Sequence, residues 1–265
     1  MNLITFTSDF GLQDTYVGVV KGVMLGINPA VKIVDLSHNV APFAVEQAAF
    51  MIETACRFFP QGTVHLAVVD PGVGSERKAL ILRTPKHLFV GPDNGIFTHI
   101  LNREGTESYV IRREAVRRLG ETDPGNSTTF DGRDLFGPAA ALLSTGFGID
   151  RLADPMNAAP VRLSDDFRPK TGVQPIRVIH IDHFGNLVTM LHRDSLKGSM
   201  KLKRVILAGK VISRIAAGYQ DVGEGELLAV WGSSGYLELS VNQGRAADLL
   251  GDEPGTAQIE VEIQK

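Results

Sequence analysis

Hydrophobic positions along the chain fall into two textures. Over the first 150 residues, short apolar runs alternate with longer amphipathic ones. NLITFT (2–7) and KIVDL (32–36) predict buried strands, and between them Val17, Val20, Val23, Met24 and Ile27 recur at helical spacing. Asp14 stands where it would cap that helix, and Asn28-Pro29 ends it. A second helix is expected over about 43–59, followed by strands at TVHLAVV (63–69), 78–84 and 87–91. This alternation predicts an α/β domain over 1–152 with a largely parallel sheet, where ligands gather beyond the carboxyl ends of strands.

The pattern then lapses. Residues 153–175 carry four prolines and little periodicity, which predicts a linker. From 176 to 265 the runs IRVIHID, KRVILAG, GELLAVWG, GYLELSV and AQIEVEI are short, strand-like and separated by glycine-bearing turns. They predict a small antiparallel barrel or sandwich, with GRAADLLG as its one helical segment.

Composition adds exclusions. A net charge of −3 with no basic stripe argues against nucleic acid as a partner. The single Cys56 rules out an internal disulfide, and it falls at helical spacing among Val45, Ala48, Ala49, Ile52 and Phe59, as a buried thiol would. No run reaches the ~18 apolar residues of a membrane span. MNLITFTSDFG lacks the basic start of a leader, so a cytoplasmic location is expected.

Polar clusters sit where strands should end. TSDFG (7–11) follows the first strand, and DPGVGSER (70–77) follows TVHLAVV, with glycines that let Arg77 return towards Asp70. GPDNG (91–95) ends another strand. In STTFDGRDLFGP (127–138), Asp134 suits a helix N-cap, which leaves Asp131 unexplained. Turn, cap and surface ion pair account for each loop singly, but four acidic loops at one sheet edge suggest a site. In the second half, IDHFGNLVT (181–189) has the form strand, tight turn, strand, with Phe184 in the turn, and WGSSGYLELS (231–240) supplies a turn with two hydroxyls. His180 and Asp182 share a strand face beside His183, but no third and fourth ligand follows at a recognised spacing, so no metal is expected. There is no GxGxxG, Walker A or GxSxG motif.

FTSDFG, DLSHNVAPFAVEQAA, FFPQGTVHLAVVDPGVGSER, FVGPDNGIFT, TFDGRDLFGPAAA, IDHFGNLVT, YQDVGEGE and SSGYLELSVN resemble, in this order, the S-adenosylmethionine (SAM) hydroxide adenosyltransferases, or SAM hydrolases, relatives of the halogenating fluorinases and chlorinases. The resemblance runs nearly end to end. It implies an N-terminal α/β domain, a C-terminal antiparallel β-barrel, and a homotrimer binding SAM between one chain's first domain and a neighbour's second. The implied reaction is displacement at ribose C5′ by water, giving adenosine and L-methionine without metal or cofactor.

By the same resemblance, Asp9 grips the ribose hydroxyls, and Phe43, Phe184 and Tyr219 wall the nucleoside. Asn186 reads the adenine edge, Asp182 meets the methionine ammonium, and Ser233 and Ser234 form the turn that holds its carboxylate. Asp70 and Arg77 match two members of the family's water-activating Asp-Arg-His set. The third departs: the family motif reads TFHGRD, and this chain has Asp131 at the histidine's place.

Aspartate is a weaker base than histidine near neutral pH. Two adjacent carboxylates resist ionising together, so one pKa of an Asp70–Asp131 pair is expected to rise while Arg77 holds the other charged. Retained hydrolysis is the expectation. A SAM- or adenosine-binding protein without catalysis is the alternative. A halogenase is the weaker enzyme reading, because two acids beside a halide repel it.

Overall fold

The computed structural model describes residues 2–120, 129–164, 167–250 and 259–265. Ser127 and Thr128 of the STTFDGRDLFGP segment, residues 165–166 of the expected linker, and Ala257 and Gln258 of the last strand-like run lie outside them. The chain divides into two compact units, the first ending at Ser164 and the second holding the described residues from Phe167 onward.

Alternation in LITFTS (β1, Leu3–Ser8) sends Ile4 and Phe6 into one core and leaves Thr5 on the opposite face, where its Oγ1 meets His65 Nδ1 at 2.7 Å. Burial pushes the His65 pKa down to about 3, so this imidazole is a neutral core group. The other strands of the unit are β2 (Lys32–Ser37), β3 (Val64–Val68), β4 (Ala79–Arg83), β5 (Leu88–Pro92), β6 (Glu107–Ile111) and β7 (Ala153–Pro155). They form one sheet in the order β2-β1-β3-β5-β4-β6-β7. Pairing is parallel from β2 to β5 and antiparallel beyond.

β3 is buried along its whole length because both faces are covered. On one side Val64, Leu66 and Val68 meet Val17, Val20 and Met24 of α1 (Tyr16–Ile27) and Ala139–Leu143 of α4 (Gly137–Ser144). On the other, Ala67 and Val69 meet Ala48, Ile52 and Cys56 of α2 (Val45–Cys56). Asn28 ends α1, its N–H bonding Met24 O at 2.9 Å and its side chain donating to Ser144 Oγ at 2.8 Å. Asp14 does not cap α1, because Thr15 takes that position and no side chain bonds the free N–H groups.

The expected linker 153–175 is only partly one. It supplies β7 at its start and β8 (Gly172–Ile176) at its end, both edge strands, where a proline's missing donor is tolerated. Between them Val161 N–H donates to Asp93 at 2.7 Å and Leu163 N–H to Thr98 Oγ1 at 2.8 Å, fastening the chain to the first unit.

The second unit continues with β9 (Val178–Ile181), β10 (Leu187–His192), β11 (Lys201–Leu207), β12 (Lys210–Ile212), β13 (Ile215–Ala216), β14 (Leu227–Trp231), β15 (Tyr236–Val241) and β16 (Ile259–Gln264). They form two sheets, β13-β14-β15-β10-β9 and β12-β11-β16-β8, antiparallel except for the short β13–β14 pair. Leu187, Leu237 and Leu239 from the first sheet share a core with Val205, Leu207 and Val261 from the second. Among the described residues, strand pairing runs within each sheet and not between them. GRAADLLG contributes a short 3-10 turn, Ala246–Leu250.

Candidate active site

β1 and β3 are adjacent and parallel with Ser8 opposite Val68, so Asp9 and Asp70 both lie just past the carboxyl ends of neighbouring strands. The 70–77 loop closes on itself: Val73 N–H bonds Asp70 O, Ser75 N–H bonds Gly72 O, and Gly74 takes a φ of +80°. Arg77 thereby returns to Asp70. Its Nε donates to both carboxylate oxygens, at 2.8 and 3.0 Å, and Nη2 donates to Asp70 as well. The same Nη2 reaches Asp131 Oδ2 at 2.5 Å. Side-chain exposures of 9%, 6% and 2% for Arg77, Asp70 and Asp131 take this cluster out of the class of surface ion pairs. Arg77 Nη1 is buried without an acceptor among the described residues.

Asp131 opens a π-helical turn, Gly132–Phe136, that leads into α4. Space is tight at Gly132 and closed to a Cβ at Gly137. A Cβ on Gly132 would stand 3.1 Å from Phe10, and one on Gly137 would stand 2.8 Å from Gly132 O. Phe130 packs between Phe10 and Tyr16, at centroid distances of 5.7 and 5.3 Å, which sets Asp131 beside the loop after β1. Asp134 is not the cap the sequence suggested. It lies inside the turn, chelated by the adjacent Arg133.

Arg113, at the start of the helix α3 (Arg113–Leu119), had no sequence signal and proves central. Its Nη1 donates to Asp131 Oδ1 at 2.6 Å and its Nη2 to Oδ2 at 2.8 Å. Burial pushes the Asp131 carboxyl up, but the hydrogen bonds from Arg113 and then Arg77 outweigh it and hold the pKa below the usual carboxylate range. The expected rise within an Asp70–Asp131 pair is therefore not met at Asp131, because a second cation, unseen in the sequence, balances the second acid.

Asp9 and Phe43 are brought together, with Phe43 N–H donating to Asp9 Oδ2 at 2.9 Å. Phe43 has a φ of 66°, a strained conformation for a bulky residue, and its ring is 69% exposed. Behind Asp9 a polar chain stiffens the loop: Ser8 Oγ contacts His38 Nδ1 at 2.7 Å, and His38 Nε2 lies 3.0 Å from Asp35 Oδ1. Ser8 is fully buried, so this Ser-His-Asp chain supports the fold and offers no accessible nucleophile. The GPDNG loop is structural too: Asp93 holds Val161, and Asn94 donates to Val69 O at 2.8 Å.

The second unit carries a cavity of about 880 Å³ lined by Asp182, Phe184, Asn186, Tyr219, Ser233 and Glu238, among others. Asp182 accepts the Asn186 backbone N–H and side-chain amide, each at 2.8 Å. Gly185, at φ +83°, makes the tight turn between them. One of the two Asn186 amide N–H groups is committed to Asp182, which leaves the other N–H and the carbonyl oxygen for further contacts. Phe184 is 70% exposed. Ser234 belongs to the Gly232–Gly235 turn but not to the lining, and its carbonyl contacts His192. Glu238 was missed by the sequence analysis. Burial raises its pKa, and Asp182 adds to the rise against the Tyr219 hydrogen bond. Period-2 alternation does place it opposite the core residues Leu237 and Leu239.

No group of three or more His, Cys, Asp or Glu among the described residues is arranged to hold a metal ion. No described helix is long and apolar enough to cross a membrane.

Residues 4–153 match the SAM hydroxide adenosyltransferase N-terminal domain and residues 176–258 its C-terminal domain. The chain is 36% identical over 254 residues to an (R)-S-adenosyl-L-methionine hydrolase of Salinispora tropica, covering 95% of each chain. It is 32% identical to one of Methanocaldococcus jannaschii, covering 94% of this chain and 92% of that one. Fluorinases are more distant relatives. The crystal structure of an uncharacterized conserved protein from Thermotoga maritima superimposes with a TM-score of 0.82 at 35% identity, over 98% of this chain and 99% of that one. Matched along both units, the chain belongs to the SAM hydroxide adenosyltransferase family.

Proposed function

We propose that this protein hydrolyses SAM to adenosine and L-methionine by water attack at ribose C5′. The observation that carries this is the buried Asp70–Arg77–Asp131 cluster beyond the carboxyl end of β3, with Arg77 Nη1 left without an acceptor.

As the water oxygen bonds C5′, the C5′–S bond breaks, and its electron pair neutralises the sulfonium. The leaving group is a neutral thioether and requires no acid. The attacking water turns oxonium-like as the new bond forms and so becomes strongly acidic. A positioned carboxylate then suffices to take its proton, even one whose pKa is depressed. Asp70 and Asp131 supply that acceptor edge, and Arg77 holds both carboxylates in place.

Asp9, held by Phe43, would bind the ribose hydroxyls. In the second unit, Asp182 would meet the methionine ammonium, Asn186 the adenine edge, and Ser233 with Ser234 the carboxylate. Phe43, Phe184 and Tyr219 would enclose the nucleoside. In this assignment three copies form a homotrimer, each SAM lying between one copy's first unit and its neighbour's second, in a barrel-like second domain. The exposed rings of Phe43 and Phe184 support it, since covering an aromatic ring is favourable. Neither metal nor cofactor takes part.

Purified protein incubated with SAM is expected to release adenosine and methionine in equal amounts, followed by chromatography. Tight SAM binding without adenosine above background would replace catalysis by a binding function, and a 5′-halo-5′-deoxyadenosine in halide buffer would identify a halogenase.

A further inference from the structure

We propose that Arg113 is a positioning residue that locks Asp131 into a four-membered ion chain, Asp70–Arg77–Asp131–Arg113, which serves where the family motif has histidine. This rests on the hydrolase function proposed above.

The geometry is specific. Asp131 Oδ1 accepts from Arg113 Nη1, while Oδ2 accepts from Arg113 Nη2 and Arg77 Nη2. Three of its roughly four lone-pair positions are thus filled by fixed donors, leaving about one, on Oδ1, for a water. A forked guanidinium does this and a point-charge ammonium does not.

Arg113 is itself fixed from behind. Arg112 N–H bonds Leu152 O at 2.9 Å and Arg112 Nη2 bonds Asp150 O at 2.5 Å, while Ala115 and Val116 anchor α3 in the core. Other described charges here are Asp70 and Arg77 on the loop after β3, Asp134 with its partner Arg133 on the π turn, and Arg112, Glu114, Arg118 and Arg151, which line a pocket together with Arg113. Two acids and two cations alternate, so Asp131 stays ionised across the neutral range, where an imidazole at its place would change protonation state.

The test is a double-mutant cycle between positions 113 and 131, read as kcat, KM and their pH profiles. Arg113→Gln is expected to lower kcat about ten- to hundredfold with KM changed less than about twofold. It should also move the acid limb of kcat to higher pH, since the Arg113 hydrogen bonds lower the Asp131 pKa. Arg113→Lys should recover part of the loss. Asp131→His should add a limb near pH 6–7, and in that background Arg113→Gln should cost little, the interaction having gone.

An unshifted acid limb in Arg113→Gln, or an equal loss in both backgrounds, would overturn the proposal. If the wild type makes no adenosine, the hydrolase function fails, and thermal unfolding against pH still tests the ion chain. Stability drawn from the depressed Asp131 is present above the unfolded carboxylate range and lost as pH falls through the folded value. Arg113→Gln should make that loss smaller, because the unfolded carboxylate sets its upper end and only its lower end follows the folded value, and profiles differing only by a constant offset would refute the chain.

Discussion

Arg77→Met is expected to abolish turnover, with kcat down about a thousandfold, and to destabilise the first unit by about 3–5 kcal/mol at neutral pH. The size follows from burial. Arg77 bridges two carboxylates whose side chains are 6% and 2% exposed, so its loss leaves them facing one another with little water to screen them. Arg113 still serves Asp131, whereas Asp70 loses the cation that the described residues give it. The pH dependence separates variant from parent. In the parent, Asp131 is held below the ordinary carboxylate range, so its contribution is complete near neutrality and declines as pH falls through the folded value. In Arg77→Met, acid protonates Asp70, left without its cation beside the Arg113-bound Asp131, and relieves their repulsion, so part of the lost stability returns on acidification. Thermal unfolding across pH measures both slopes. Parallel slopes would show that Arg77 is not the bridge it looks to be.

Asp182→Ala is expected to raise KM for SAM about ten- to hundredfold with a much smaller change in kcat. One carboxylate makes two hydrogen bonds to Asn186 and would also meet the ligand ammonium, and a charged hydrogen bond is worth about 1.5–3 kcal/mol. Such a contact serves substrate and transition state alike, so its loss falls on KM. Asp182→Asn keeps the shape but turns a donor towards the Asn186 amide, and is expected to recover little. Calorimetric titration with SAM provides the measurement. Unchanged affinity in Asp182→Ala would remove the second-unit cavity from the substrate site.

Much of this arrangement was legible in the chain. The parallel strands announce themselves because a strand covered on both faces must be apolar throughout, as VHLAV is. Asp70 and Arg77 could be paired because the glycines between them leave the loop little choice but to turn back. The 182–186 turn was legible as strand, tight turn, strand with an aromatic ring outside. Arg113 was not legible. VIRREAVRRLG is a run of surface-like cations, and nothing local says which of Arg112, Arg113, Arg117 or Arg118 turns to an acid 18 positions along the chain. Glu238 was half legible, since alternation gives its face but not the cavity on that face. Asp134 misled because capping assumes an ordinary first turn, and residues 132–136 form a π turn instead. The strands at Ala153–Pro155 and Gly172–Ile176 were hidden by their prolines, which edge positions tolerate.

The central claim is that a water molecule, activated at the Asp70–Arg77–Asp131 cluster, displaces methionine from C5′. Turnover of SAM in water enriched in heavy oxygen, followed by mass spectrometry of both products, tests it most directly. The account predicts one heavy atom per adenosine, located by fragmentation at the ribose 5′ oxygen, and none in methionine. Adenosine without the label, or label carried by methionine, would contradict it.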